Sequence, residues 1–149
     1  MAIEIVVRKD PDDPRLDEVR AMLRAHNLEA NPVFMRELET SLAVSLVATA
    51  SSVDGRVVGG LIGETQGRWF KVQIMAVHTT HRRAGLGTRI LRAAESEARA
   101  RGCDRVFLDT LDYQGPEFYE SCGYTRRCEL EDWDSHGHTK LIYVKELGR

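Results

Sequence analysis

The spacing of apolar residues changes period several times along the chain, and each change marks an element. Ile3, Ile5 and Val7 alternate, which predicts a strand over Ile3–Arg8. Leu16, Val19, Met22, Leu23 and His26 then recur on one helical face. They predict a helix from Pro14 to about His26, with Asp13 as its N-cap and Pro14 at the first helical position. A short second helix is expected over Pro32–Ser41. Strands follow at Leu42–Ala50 and Arg56–Glu64 around an Asp54-Gly55 hairpin turn, and after a Gln66-Gly67 turn a long strand runs from Trp69 to His78.

From Gly85 to Arg101 the pattern is helical again, with Leu86, Ile90, Ala94 and Ala98 four apart and Leu91 beside them. Glu95 with Arg99, and Glu97 with Arg101, read as ion pairs on the solvent side of this helix, and Gly102 ends it. A strand at Arg105–Thr110, a short helix at Pro116–Cys122 and strands at Tyr124–Leu130 and Thr139–Glu146 complete the order β-α-α-β-β-β-α-β-α-β-β. That order predicts one α/β domain, of the α+β kind, over residues 1–149, built on a mixed sheet.

Composition narrows the function classes. With 149 residues, 42% apolar and 30% charged, the chain has an ordinary globular make-up. A net charge of −2 gives no general attraction to nucleic acid. The longest apolar stretch, near Leu42–Ala50, falls well short of a membrane span. The first ten residues lack the basic and long apolar regions of a signal peptide, so a cytoplasmic location is expected. Cys103, Cys122 and Cys128 show no Cys-x-x-Cys spacing and read as free thiols, with Cys103 in the core.

The chemistry concentrates between the long strand and the long helix. Gly85 and Gly87 let a ligand approach the main chain, and the first N–H groups of the helix lack intrahelical partners. With the helix dipole they form an anion site, to which Arg82, Arg83 and Arg89 add charge, so a phosphate ester is the expected ligand. A nucleotide P-loop is excluded because no Gly-x-x-x-x-Gly-Lys-[Ser/Thr] occurs. A dinucleotide fingerprint would need Gly or Ala where Ile90 stands, and would open a domain rather than follow its middle.

The string Met75-Ala76-Val77-His78-Thr79-Thr80-His81-Arg82-Arg83-Ala84-Gly85-Leu86-Gly87-Thr88-Arg89-Ile90-Leu91 resembles the acetyl-CoA signature of the GNAT (Gcn5-related N-acetyltransferase) superfamily, in which Gln/Arg-x-x-Gly-x-Gly/Ala opens a helix. Pro116-Glu117-Phe118-Tyr119-Glu120-Ser121-Cys122-Gly123-Tyr124 resembles the second marker of that family. The stretch from Asp109-Thr110 through Tyr113-Gln114, with Asp132, Gly137-His138 and Lys145-Glu146-Leu147 later, looks like a bacterial branch of small acetyltransferases. The resemblance implies a single GNAT N-acetyltransferase domain with the acyl-CoA N-acyltransferase fold. Its mixed, mostly antiparallel sheet would have about seven strands, flanked by about four helices.

The same resemblance implies site roles. Met75 and Val77 would offer main-chain groups to the pantetheine arm and thioester. Arg82, Arg83, Gly85, Leu86, Gly87 and Thr88 would hold the pyrophosphate of acetyl-CoA, the co-substrate. Tyr119 stands at the general-acid position, able to give its proton to the departing thiolate. A base is harder to assign, although an alkyl ammonium must give up roughly 4.6 kcal/mol of protonation at pH 7. Some family members carry a glutamate on the central strand, and Lys71-Val72-Gln73-Ile74-Met75 holds no carboxylate. Asp109 is the best-placed candidate, with Asp112, Glu64, His78, His138 and a water relay left open.

The string Asp132-x-Asp134-x-His136-x-His138 fits a polar loop better than zinc, so no metal is expected. That loop, with Trp133, is a candidate wall of the acceptor pocket or a plain surface contact. Three functions remain in order: acetyl transfer to a small-molecule amine, transfer to a protein terminus or lysine, and a non-catalytic acyl-CoA sensor. A homodimer joined through sheet edges is expected by resemblance.

Overall fold

The computed structural model describes residues 3–7 and 9–148, and its chain divides into two units, 1–40 and 41–149. In the first unit, α1 (Arg15–Ala30) and α2 (Pro32–Thr40) are joined by Asn31. Pro14, expected at the first helical position, is instead the N-cap of α1, and Asp13, the expected N-cap, stands one residue before it; its carboxylate still accepts the Arg15 N–H at 3.0 Å and grips the Arg15 guanidinium at 2.7 Å. The α1 helix runs a turn further than its apolar stripe suggested, and an ion pair between Arg24 and Glu39 links it to α2. The strand expected over Ile3–Arg8 is not formed at Ile3–Val7, and Arg8 lies outside the described residues. Alternation signals a strand only where a neighbouring strand completes the ladder, and Ile3–Val7 enters none.

The second unit holds the sheet, formed by β1 (Val44–Ser51), β2 (Val57–Gln66), β3 (Trp69–Val77), β4 (Arg105–Leu111), β5 (Thr125–Leu130) and β6 (Lys140–Glu146). The order is β1-β2-β3-β4-β6-β5, giving six strands among the described residues where about seven were expected. Every neighbouring pair is antiparallel except β3–β4, which is parallel because α3 (Leu86–Ala100) forms the crossover between them. The α4 helix (Pro116–Ser121) follows β4.

Two details of this sheet create the site. The parallel ladder extends only from Trp69↔Arg105 to Val72↔Leu108, leaving the rest of β3 and β4 unpaired with each other. At the same level the β2–β3 register slips, since Ile62 faces Ile74 while Gly63 faces Val72, so Gln73 is an extra residue in β3. Such a bulge bends its strand, and here it turns β3 away from β4. Glycine is required opposite it, because a Cβ on Gly63 would stand 2.3 Å from the Lys71 carbonyl oxygen.

The α3 helix buries Ile90, Leu91, Ala94 and Ala98, the stripe its spacing predicts, among sheet residues including Leu61, Phe70, Val106 and Leu108. The helix ends as expected at Gly102, where the Cys103 N–H returns to the Ala98 carbonyl at 2.9 Å. Cys103 is buried, and all three cysteines are free.

Glu95 departs from the expected solvent-side role. It follows Leu91 by four and precedes Ala98 by three, which places it inside the apolar stripe, and it is 2% exposed. Lys145 Nζ meets both its carboxylate oxygens at 2.8 and 2.9 Å, and the Tyr124 hydroxyl donates to it at 2.9 Å. The Tyr124 phenol is pushed far up, first by burial and then by this carboxylate. Glu97, by contrast, pairs with Arg101 at the surface as predicted, at 2.7 Å.

Removing one member of a buried ion pair strands the other. Glu95→Ala is expected to cost about 3 kcal/mol and lower the thermal midpoint by roughly 10 °C in a melting experiment. The surface variant Glu97→Ala is expected to change stability by less than about 1 kcal/mol.

Candidate active site

Where β3 and β4 part, a cleft of about 890 Å3 opens. Beyond Val72 and Leu108 each strand still pairs on its far side, β3 with β2 and β4 with β6, while the facing edges carry main-chain groups turned toward the gap. Such groups need partners, and a bound extended chain can supply them. Met75 and Val77 line the β3 side, and Leu108 and Asp109 the β4 side.

One end of the cleft is the loop before α3. His78 starts a short 3-10 turn over Thr79–His81, its ring Nδ1 bonding the Thr80 hydroxyl at 2.8 Å. Arg82 then folds back, its Nε donating to the Val77 carbonyl at 2.9 Å, which ties the loop to the end of β3. Arg83 and Gly85 take left-handed conformations at φ 63° and 73°. Glycine takes that conformation freely, and at Arg83 it is a local strain held by its surroundings. The first helical bond runs from the Arg89 N–H to the Gly85 carbonyl at 3.1 Å. The N–H groups of Leu86, Gly87 and Thr88 therefore have no acceptor within the helix. Arg82, Arg83, Gly85, Leu86, Gly87 and Thr88 all line the cleft, so this end presents bare amides and positive charge to one opening.

The α4 helix stands beside that loop, its Phe118 ring 3.3 Å from where a Cβ on Gly87 would lie. Gly123 closes the helix with the Tyr124 N–H returning to the Tyr119 carbonyl at 3.0 Å, which sets Tyr124 against Glu95. Tyr119 is wedged edge-on between Phe118 and Tyr124, with centroid distances of 5.1 and 5.8 Å. The next residue, Glu120, fastens α4 to the sheet by accepting the Tyr143 hydroxyl at 2.7 Å and the Arg126 guanidinium at 2.9 Å. Those two hydrogen bonds hold the Glu120 carboxyl below its ordinary range. Tyr119 lines the cleft, and its hydroxyl has no hydrogen-bond partner among the described residues. Burial raises its phenol above the ordinary value, with Cys122 adding to the effect, so it keeps its proton at neutral pH.

Asp109 lines the same cleft from the opposite sheet face. The register pairs Leu108 with Tyr143, which packs toward Tyr119, and pairs Asp109 with Ile142 on the other side. Lys140 Nζ lies 3.0 Å from the Asp109 carboxylate and 3.9 Å above the Trp133 ring. Lys140 is a contributor the sequence reading missed, because nothing local links positions 109 and 140. Tyr113 and Gln114 also line the cleft. Gln114 accepts the Leu111 N–H at 2.8 Å and so shapes the turn leaving β4. Among the described residues no cluster of three or more His, Cys, Asp or Glu side chains is placed to hold a metal ion. No described helix is long and apolar enough to cross a membrane.

The sequence matches the family model described as "Acetyltransferase (GNAT) domain" over residues 42–126, which spans every strand through β4, α3, α4 and the loop between them. The chain belongs to the GNAT family. It is 34% identical over 138 residues to the blasticidin-S acetyltransferase of Streptomyces morookaense, covering 91% of this chain and 93% of that one. Among solved structures it resembles an acetyltransferase from Agrobacterium tumefaciens, with TM-score 0.70, 30% identity and coverage of 97% and 99%. An acetyltransferase from Bacillus cereus shares the fold at TM-score 0.76 and 20% identity, covering 95% of this chain and 97% of that one. The GNAT family uses acetyl-CoA, and this chain is an acetyl-CoA-dependent acyltransferase.

The loop makes a direct prediction. Arg82→Glu reverses one charge beside the bare amides and cuts the tie to Val77. It should weaken acetyl-CoA binding roughly 10- to 100-fold by isothermal calorimetry, with a smaller deficit at high salt.

Proposed function

We propose that this enzyme transfers the acetyl group of acetyl-CoA to a primary amine of a small molecule, both substrates being bound together. The observation that carries this reading is the two-sided cleft. Bare amides close one end, a protonated phenol on the adjoining α4 helix lines the same opening, and the carboxylate of Asp109 faces it from across the sheet.

In this reading the N–H groups of Gly85, Leu86, Gly87 and Thr88 bind the pyrophosphate, with Arg82 and Arg83 adding charge. Met75 and Val77 align the pantetheine arm along the free edge of β3, and a main-chain N–H at Val77 stabilises the oxyanion that forms on attack. Tyr119 gives its proton to the departing sulfur. Asp109, braced by Lys140, draws in and orients the cationic acceptor. The similarity to a protein named blasticidin-S acetyltransferase over nearly the whole chain favours an amine-bearing antibiotic or a compound of similar size.

Thiol release from acetyl-CoA is the test, with blasticidin S, aminoglycosides, polyamines, amino acids and peptides as acceptors. Turnover is expected with a small amine. Turnover confined to peptides would transfer the reading to a protein acceptor, and tight acetyl-CoA binding without turnover on any amine would overturn it.

Tyr119→Phe should lower kcat about 100-fold while acetyl-CoA affinity stays within about twofold. An unchanged kcat removes Tyr119 from the chemistry.

A further inference from the structure

The acceptor still has to lose a proton, and Asp109 is occupied by Lys140 at 3.0 Å. A second acid–base unit stands one aromatic ring back from the cleft. His138 Nδ1 lies 2.5 Å from the Asp134 carboxylate, and the His138 ring packs edge-on against Tyr113 at 4.8 Å. Tyr113 itself lines the cleft, so a proton can reach the imidazole from the cleft by way of water around that ring.

The surrounding chain holds this pair in place. The Asp134 Oδ1 atom accepts the N–H groups of His136 at 2.9 Å and His138 at 3.1 Å. The Asp132 carboxylate accepts the Gly137 N–H at 2.7 Å, and the Trp133 N–H donates to the His138 carbonyl at 2.8 Å. Asp112 joins the two loops twice, its N–H donating to the Thr139 carbonyl and its carboxylate accepting the Thr139 N–H, both at 3.0 Å. That double bond pair is what brings Tyr113 and His138 side by side.

Protonation follows from the partner. A carboxylate can only accept, so in the neutral ring Nδ1 carries the hydrogen and Nε2 carries the lone pair. No described residue hydrogen-bonds Nε2. The Asp134 carboxyl feels an upward push from desolvation, and the N–H groups of His136 and His138 with the His138 ring outweigh it, holding it below its ordinary range. It therefore stays charged and keeps the ring oriented. The charged and titratable groups around His138 are Asp134 on its own loop, Tyr113 and Asp112 on the loop after β4, and Lys140 at the start of β6.

We infer that His138, oriented by Asp134, is the base that takes the acceptor's proton. This rests on the transferase reading above. The acceptor ammonium first releases one proton to solvent; as the neutral amine nitrogen then bonds the carbonyl carbon, its second proton passes to His138 Nε2 across water. The carbon–sulfur bond breaks, and sulfur leaves with the Tyr119 proton. The proton on His138 then returns through solvent to the Tyr119 phenolate. The net change is an amide and free CoA thiol from an amine and a thioester.

The experiment uses the full chain and the fastest amine found in the thiol-release panel. His138→Gln is expected to lower kcat about 100-fold, to abolish the fall of kcat at acid pH and to leave acetyl-CoA affinity within about twofold. His138→Gly should regain at least about tenfold when imidazole is added, which a purely structural role would not give. His136→Gln, in the same loop, should retain the wild-type kcat. An active wild type whose His138→Gln variant keeps both its kcat and its acid limb overturns the role of His138 and leaves the transferase reading standing. A wild type that releases thiol with no amine overturns both.

Discussion

Parallel strands β3 and β4 share hydrogen bonds only as far as Val72 and Leu108, and past that point each presents main-chain groups that the other no longer satisfies. Unpaired backbone is costly when buried, so the gap has to stay open to solvent or receive a ligand with its own donors and acceptors. The bulge at Gln73 holds the strands apart, and the absent side chain of Gly63 lets the bulge fit against β2. A sheet that would otherwise close on itself is thereby given an opening at its middle. The glycine loop, the Tyr119 phenol and the Asp109 carboxylate are arranged around that opening.

The α3 helix serves two parts of it. Its first turn leaves N–H groups free toward the cleft, where its dipole adds to the Arg82 and Arg83 charges. Two turns on, Glu95 holds Lys145 of β6 and Tyr124, the residue just past α4. Tyr124 in turn packs on Tyr119. A buried ion pair is weak support for stability by itself. Here it links α3 to Tyr124 just past α4, so the separation of the two helices is set by packing rather than by a flexible loop.

The acceptor side is built differently, from loops that meet because the sheet brings β4 and β6 together. Lys140 joins Asp109 to Trp133, and Asp112 joins the two loops that carry Tyr113 and His138. Loops braced in this way can change composition without disturbing the sheet. The carrier side, made of backbone atoms, has far less freedom to vary.

Much of this was legible in the residues themselves. Strand alternation, the Leu86–Ala98 stripe and the paired glycines placed β1 to β6, α3 and the loop that opens it, because each depends on local period or on backbone freedom. Tyr119 was singled out by the resemblance of Pro116–Tyr124 to a family marker, and the structure places it on the cleft wall. Glu95 was misread as a surface charge, since only the arrival of Lys145 from the far end of the chain makes its burial tolerable. Ile3–Val7 looked like a strand because alternation says nothing about whether a ladder partner is present. The Lys140 partner of Asp109 and the Tyr113 neighbour of His138 follow the same rule. Local order is written in neighbouring residues, whereas a charge or a ring finds a partner far along the chain only when folding brings distant segments within reach.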